Sequence, residues 1–208
     1  MEMIEAERRG IVFAGYDCEI ALGEKVGCDQ YFQQVLMEFG LRYLRGTAIA
    51  IQNPDGDGIY NAEKLMRKFL SDEPIDVAIE VGTWRGVSTA LIAHYANIVN
   101  TVDITNRQEP WALWYFFGVV DRIRPHVVPS NEVKQEVIKA MEFDFAFVDA
   151  VHTFEGVKLD FECVKKCGRV LFHDYQVMRG VTQFVDTLPD EQVIKQFPFA
   201  YWKANGHH

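Results

Sequence analysis

Residues 79–93 read IEVGTWRGVSTALIA: a short apolar, β-branched run, a turn carrying Gly82 and Gly86, and then a helical pattern. A buried strand that ends in a glycine turn and feeds a helix presents helix N-terminal N–H groups at the strand's carboxyl end. That is where open α/β sheets hold cofactors. Gly82 and Gly86 permit close backbone approach, and Ser88 can offer a hydroxyl to an anionic group.

The same alternation continues along the chain. Strand patterns fall at 76–82, 98–104, 125–129, 144–150 and 169–175, with helical patterns at 87–96, 109–123, 131–141 and 155–167 between them. The order β-α-β-α-β-α-β-α-β predicts one doubly wound α/β domain with helices on both faces of a mostly parallel sheet. Beyond it, 177–188 reads as a helix ended by Pro189, and 191–197 and 197–204 as two further strands. If these last two pair as a hairpin, one must run against the sheet, giving seven mixed strands. Pro198 leaves the junction between them open.

The turn chemistry narrows the cofactor. A dinucleotide fingerprint needs G-x-G-x-x-G, with the central glycine clearing room for a pyrophosphate, whereas here Trp84 and Arg85 stand between Gly82 and Gly86. No GK[ST] follows, so a Walker loop is excluded. Asp103 ends the second strand, where an acid can accept hydrogen bonds from both hydroxyls of a ribose or simply cap a loop. The first choice points to a ribose-bearing cofactor without a pyrophosphate.

Two further strands end in chemically active residues. FDFAFVDAVH closes on Asp149 with His152 three positions on, and VLFHDY closes on His173 and Asp174. Adjacent parallel strands bring their carboxyl ends together, so these four side chains are expected at one edge of the crevice. Two carboxylates with imidazoles make a site for a hard cation, Mg²⁺ ahead of Zn²⁺, unless the acids only cap the helices that follow them.

On E-V-G-x-x-x-G-x-S at 80–88 and V-D-I at 102–104, residues 75–203 resemble the class I S-adenosylmethionine-dependent methyltransferases. The resemblance implies that Glu80, Gly82, Gly86 and Ser88 surround the methionine part of S-adenosylmethionine. It implies that Asp103 holds the ribose and that the Val128–Asn131 turn, with Ser130, lies by the adenine. Thr83 in the turn and Ile104 beside Asp103 complete the implied cofactor-binding set.

The pattern FVDAxHTxEGVxxD followed by FHDY is similar to a branch of metal-dependent O-methyltransferases that includes macrolide-sugar enzymes and, more distantly, catechol O-methyltransferase. That likeness implies Asp149, His173 and Asp174 as ligands of Mg²⁺ or another divalent cation, although relatives commonly place a carboxylate where His173 stands. It also implies His152 as the catalytic base, where catechol-type enzymes carry a lysine. An imidazole of pKa about 6.5 suits an aliphatic hydroxyl only if a metal lowers the hydroxyl's own pKa. The expected reaction is O-methylation of a small hydroxylated molecule, for which a sugar is one candidate. Two rivals remain on the same architecture: a nucleotide-cofactor oxidoreductase and a non-catalytic binding module.

Composition fits this reading. The 208 residues carry 21 Lys+Arg against 30 Asp+Glu, a net charge of −9, which disfavours nucleic acid and anionic membranes as partners. With 49% apolar and 25% charged residues the chain is an ordinary globular protein. Its longest nearly apolar run, 111–120, falls well short of the roughly 20 residues a membrane helix needs. The opening MEMIEAERRG lacks a signal-like apolar region, and a cytoplasmic location is expected.

Cys18, Cys28, Cys163 and Cys167 have no zinc-ribbon spacing and read as reduced thiols, the last two on one helix face. Residues 1–75 read as a separate helical cap ahead of a catalytic domain at 76–208. Within the cap, NPDGDG fails as a calcium loop because Ile59 stands where an acid or amide is needed. Trp111 and Trp114 suit core, substrate contact or a homodimer face; Arg122 and Arg124 read as surface, and Lys165 and Lys166 as complements to a helix dipole. His207 and His208 have the character of a tag remnant.

Overall fold

The computed structural model describes residues 65–106, 110, 111, 114 and 117–204. The calcium-loop segment, Cys18, Cys28 and nearly all of the expected cap lie outside these residues.

Seven strands form one sheet: β1 (Ile75–Val81), β2 (Ala96–Asp103), β3 (Ile123–Val127), β4 (Phe145–Val148), β5 (Arg169–Phe172), β6 (Val193–Gln196) and β7 (Phe199–Lys203). Their spatial order is β3-β2-β1-β4-β5-β7-β6. The first five are parallel, and β7 alone runs against its neighbours β5 and β6. The expected hairpin is present, turning at a cis Phe197–Pro198 bond.

Both faces are covered, which is why these strands read as nearly continuous apolar runs. On one face Ala78, Val99, Phe145, Phe147, Leu171 and Tyr201 pack against helical residues 65–70, α1 (Val87–Ile92) and Trp114. On the other Ile79, Val81, Val102, Ala146, Val148 and Phe172 pack against α2 (Asn131–Ala140), α3 (Phe154–Val164) and α4 (Arg179–Val185). Pro125 is tolerated because β3 is an edge strand.

Most boundaries shift by a few residues from the sequence reading, and three of the differences have a visible cause. Helix α1 stops at Ile92, since Ala96 is already paired with Ile75 in the ladder. The helix expected over 109–123 is broken near Gly118, whose φ of 64° is left-handed, and a 3₁₀ turn at Val120–Arg122 leads into β3. Strand β5 ends at Phe172 rather than 175, because the chain turns through Asp174 at φ 60°.

At the amino ends of the strands, the Arg169 guanidinium donates to the carbonyls of Glu73, Pro74 and Asp144 and to the Asp144 carboxylate (2.9–3.2 Å). Asp144 in turn accepts from Asp76 N and Val77 N, so the starts of β1, β4 and β5 are tied together. The nearby thiols are structural, as expected: burial pushes Cys163 up and Cys167 up to about 11, far from a reactive thiolate. Arg122 donates to Ala93 O and Arg124 to Asp121 O, while Lys166 reaches the carbonyls of Lys139 and Met141 at the carboxyl end of α2.

Helices α2 and α3 are joined by an ion pair the sequence did not disclose. Lys134 Nζ lies 2.8 and 3.0 Å from the two oxygens of Asp160, with both side chains 2% exposed. Removing one partner strands a buried charge, whereas replacing both removes the desolvation cost as well. Asp160→Ala should therefore cost about 3–5 kcal/mol in urea unfolding, and Lys134→Met with Asp160→Leu should recover most of that loss. An Asp160→Ala protein as stable as the parent would contradict this account.

Candidate active site

Parallel pairing sets Val81 opposite both Val102 and Val148, and Val148 opposite Phe172. The next residue on each strand is therefore Gly82, Asp103, Asp149 or His173, and these four form one row across the carboxyl edge. Gly82 N donates to Val102 O, Asp149 N to Val81 O and His173 N to Val148 O (2.9–3.2 Å), continuing the ladder into the row. Gly82 adopts φ 100°, and a Cβ there would overlap the Asp149 carbonyl. A glycine is required for β1 to leave the sheet beside β4.

Asp103 organises the turn. Its Oδ2 accepts from Thr83 N (3.0 Å) and Trp84 N (2.9 Å), and its Oδ1 from Thr105 N (2.8 Å). Gly86, at φ 73°, closes the turn, and its carbonyl accepts from Trp114 Nε1 (2.9 Å). Trp114 is accordingly buried, while Trp111 meets it edge-on and stays 38% exposed. A cavity of about 290 Å³ opens here, lined in part by Thr83, Trp84, Asp103, Thr105, Trp111 and His126. Ile104 is exposed beside it, and Ser130 caps α2 by accepting from Val133 N (3.4 Å).

Glu80 is fully buried. Ser88 Oγ donates to its Oε1 (2.5 Å), and Thr101 Oγ1 (2.6 Å) and Thr89 Oγ1 donate to its Oε2. Burial pushes its pKa up to about 7 against those hydroxyls. Thr89 and Thr101 were missed in the sequence. A threonine inside the apolar strand of 98–104 was the available signal for a buried polar contact.

The other half of the row gathers Asp149, His152, His173 and Asp174 as expected. His152 Nε2 lies 3.3 Å from Asp149 Oδ1 and 3.2 Å from Asp174 Oδ2, and His173 Nδ1 lies 3.3 and 3.2 Å from the same two carboxylates. Acids and imidazoles thus alternate around a ring. Thr153 accepts from Gly156 N to start α3 immediately after His152. Gly180 of α4 lets that helix press on the His152 carbonyl, where a Cβ would overlap it. The sequence reading had no signal for this contact.

Burial works to raise the Asp149 pKa, but the two imidazoles hold it well below the carboxylate range. His173 is pushed up to about 9, since Asp149 and Asp174 outweigh burial, which alone would lower it. The hydrogen bond to Asp149 raises His152, against burial. Burial also raises Asp174.

The donors fit a divalent cation. One ligand atom each from Asp149, His173 and Asp174 lies within 4.8 Å of the others. The buried His173 Nδ1 finds no hydrogen bond of acceptable direction, despite its two carboxylate neighbours. A ring nitrogen set between two carboxylates without a well-directed hydrogen bond is an arrangement that a metal can complete when the nitrogen gives up its proton.

With fold and site in view, the seven-stranded mixed sheet has the Rossmann-like fold of solved methyltransferase structures, and residues 79–175 match the family model of a methyltransferase domain. Among solved structures it is similar to the O-methyltransferase TomG of Streptomyces achromogenes, involved in tomaymycin synthesis and seen with SAM. The two share 15% identity over 88% of this chain and 92% of that one, at a TM-score of 0.58. It is likewise similar to an O-methyltransferase of Bacillus cereus in complex with SAH (14% identity, 89% and 94% coverage, TM-score 0.58). A methyltransferase of Geobacter sulfurreducens covers 98% of this chain at 14% identity and a TM-score of 0.57. No curated protein matches the sequence. No helix among the described residues is long and apolar enough to cross a membrane.

The raised His173 pKa has a stability consequence in chelator-treated protein. Its contribution is full below the unfolded value of 6.5 and is lost as pH rises through about 9. Urea midpoints should fall across that window, and His173→Asn should flatten the fall. An unchanged pH profile in the variant would contradict the assignment.

Proposed function

We propose that this protein is an S-adenosylmethionine-dependent O-methyltransferase that uses a divalent cation, Mg²⁺ first, to methylate a small hydroxylated acceptor. A sugar with neighbouring hydroxyls is the leading candidate. The observation that carries the reading is the shared row: the Gly82–Gly86 turn and Asp103 stand directly beside Asp149, His173 and Asp174. When bound, S-adenosylmethionine supplies a methyl group on a sulfonium, and a cation held by Asp149, His173 and Asp174 supplies Lewis acidity that lowers an acceptor hydroxyl's pKa.

The chain's own residues do the rest. Asp103 and Ile104 would take the nucleoside end, with the Ser130 turn by the adenine as the resemblance implies, and Gly82 keeps the turn close to the metal edge. His152 is about one-third exposed, with Nε2 turned toward Asp149 and Asp174. Its neutral tautomer, with Nε2–H donated to Asp149, takes the hydroxyl proton at the opposite nitrogen, Nδ1, and releases it to solvent. Orientation contributes much of the acceleration, because the acceptor and the methyl donor meet in fixed register on neighbouring strand ends.

Calorimetric titration should show S-adenosylhomocysteine binding with micromolar affinity and NAD not binding. Turnover on polyhydroxylated acceptors should disappear with a chelator and return with Mg²⁺. His152→Ala should lower turnover by about 10²–10⁴-fold while leaving S-adenosylhomocysteine affinity within about twofold. Equal loss of binding and turnover would remove His152 from the base role.

A further inference from the structure

Glu80 sits in the cofactor motif, yet its carboxylate is turned into the protein and shut off from solvent. It is fully buried, and hydroxyls from Ser88, Thr89 and Thr101 occupy both carboxylate oxygens. The network continues from there. Thr101 Oγ1 and Thr83 Oγ1 lie 2.6 Å apart, and Thr101 has already given its single hydrogen to Glu80. Thr83 is therefore the donor, and the chain runs from Thr83 to Thr101 to Glu80.

Thr83 is the residue that links this buried chain to the ligand-facing turn. Its side chain points inward along the hydroxyl relay, and its backbone N–H donates to Asp103 Oδ2 (3.0 Å), beside that of Trp84 (2.9 Å). Its carbonyl accepts from Gly86 N (2.7 Å), closing the turn. Ser88 and Thr89 carry the same carboxylate's hold into α1, whose start at Gly86 has no side-chain cap of its own. Glu80 thereby joins β1, β2, the turn and α1 at one point.

We propose that Glu80 is a positioning residue that sets the Thr83–Gly86 turn through Thr101 and Thr83, and that it does not touch the bound cofactor. The inference rests on the S-adenosylmethionine reading and refines it. A carboxylate that touched the cofactor would recognise its amino-acid portion only. A carboxylate that holds the turn governs the whole ligand, because Thr83 N and Trp84 N also fix Asp103 at the ribose end.

Two ligands separate these cases: S-adenosylhomocysteine and 5′-methylthioadenosine, which lacks the amino-acid portion. Glu80→Gln should weaken both by about tenfold or more, the scale of one lost hydrogen bond to a buried charge. Thr101→Val, which leaves Glu80 in place, should weaken both as well and should speed hydrogen exchange at the Thr83 and Trp84 amides in ligand-free protein. Thr101→Ser should restore both properties.

The threonine variants keep the test decisive if Glu80→Gln does not fold. Selective loss of S-adenosylhomocysteine affinity in Glu80→Gln, or unchanged binding and exchange in Thr101→Val, would overturn the proposal. If the parent protein binds neither ligand, the cofactor reading itself fails and the positioning role falls with it.

Discussion

The register of the parallel sheet is the constraint from which the site follows. Because Val81 pairs with Val102 and Val148, and Val148 with Phe172, the residues that leave those strands emerge side by side. A slip of one residue turns every side chain of a strand to the other face, and here each face packs against its own set of helices, which favours a single register. A one-residue shift of β4 would either draw Asp149 into the sheet or push Val148 out of it. The apolar packing of the strands thus places the polar chemistry at their ends.

The two ends of the sheet use charge differently. At the amino ends Arg169 spends its guanidinium on backbone carbonyls and on Asp144, joining three strand starts. At the carboxyl ends Asp149, His152, His173 and Asp174 face one another in an alternating ring, and His173 Nδ1 is left without a hydrogen bond. The first arrangement is complete in itself. The second leaves a buried donor atom unsatisfied, a pattern that belongs to sites that bind or react rather than to structural ties.

Between those groups lies a glycine turn held from both sides. Asp103 grips its backbone, and the hydroxyl relay ending on Glu80 grips the Thr83 side chain. Two carboxylates from neighbouring strands therefore organise five residues of loop. Asp103 remains at the rim of the cavity, and Glu80 lies beneath it.

The strand order β-α-β-α-β-α-β-α-β, the terminal hairpin and the convergence of Asp149, His152, His173 and Asp174 were legible in the sequence. Apolar runs, glycine turns and strand-end acids are local signals that survive in one dimension. The interruption of the 109–123 helix was not, because only the left-handed Gly118 reveals it. Nor were the Lys134–Asp160 pair, the pressure of Gly180 on the His152 carbonyl, or the inward turn of Glu80 and Thr83. Each depends on which distant side chain fills a given space. The sequence by itself determined which residues stand at the ends of the strands, since alternation and turn chemistry are written along the chain. Tertiary structure alone decided which of them face the crevice and which are consumed inside, since burial and hydrogen-bond partners arise only when separate strands and helices meet.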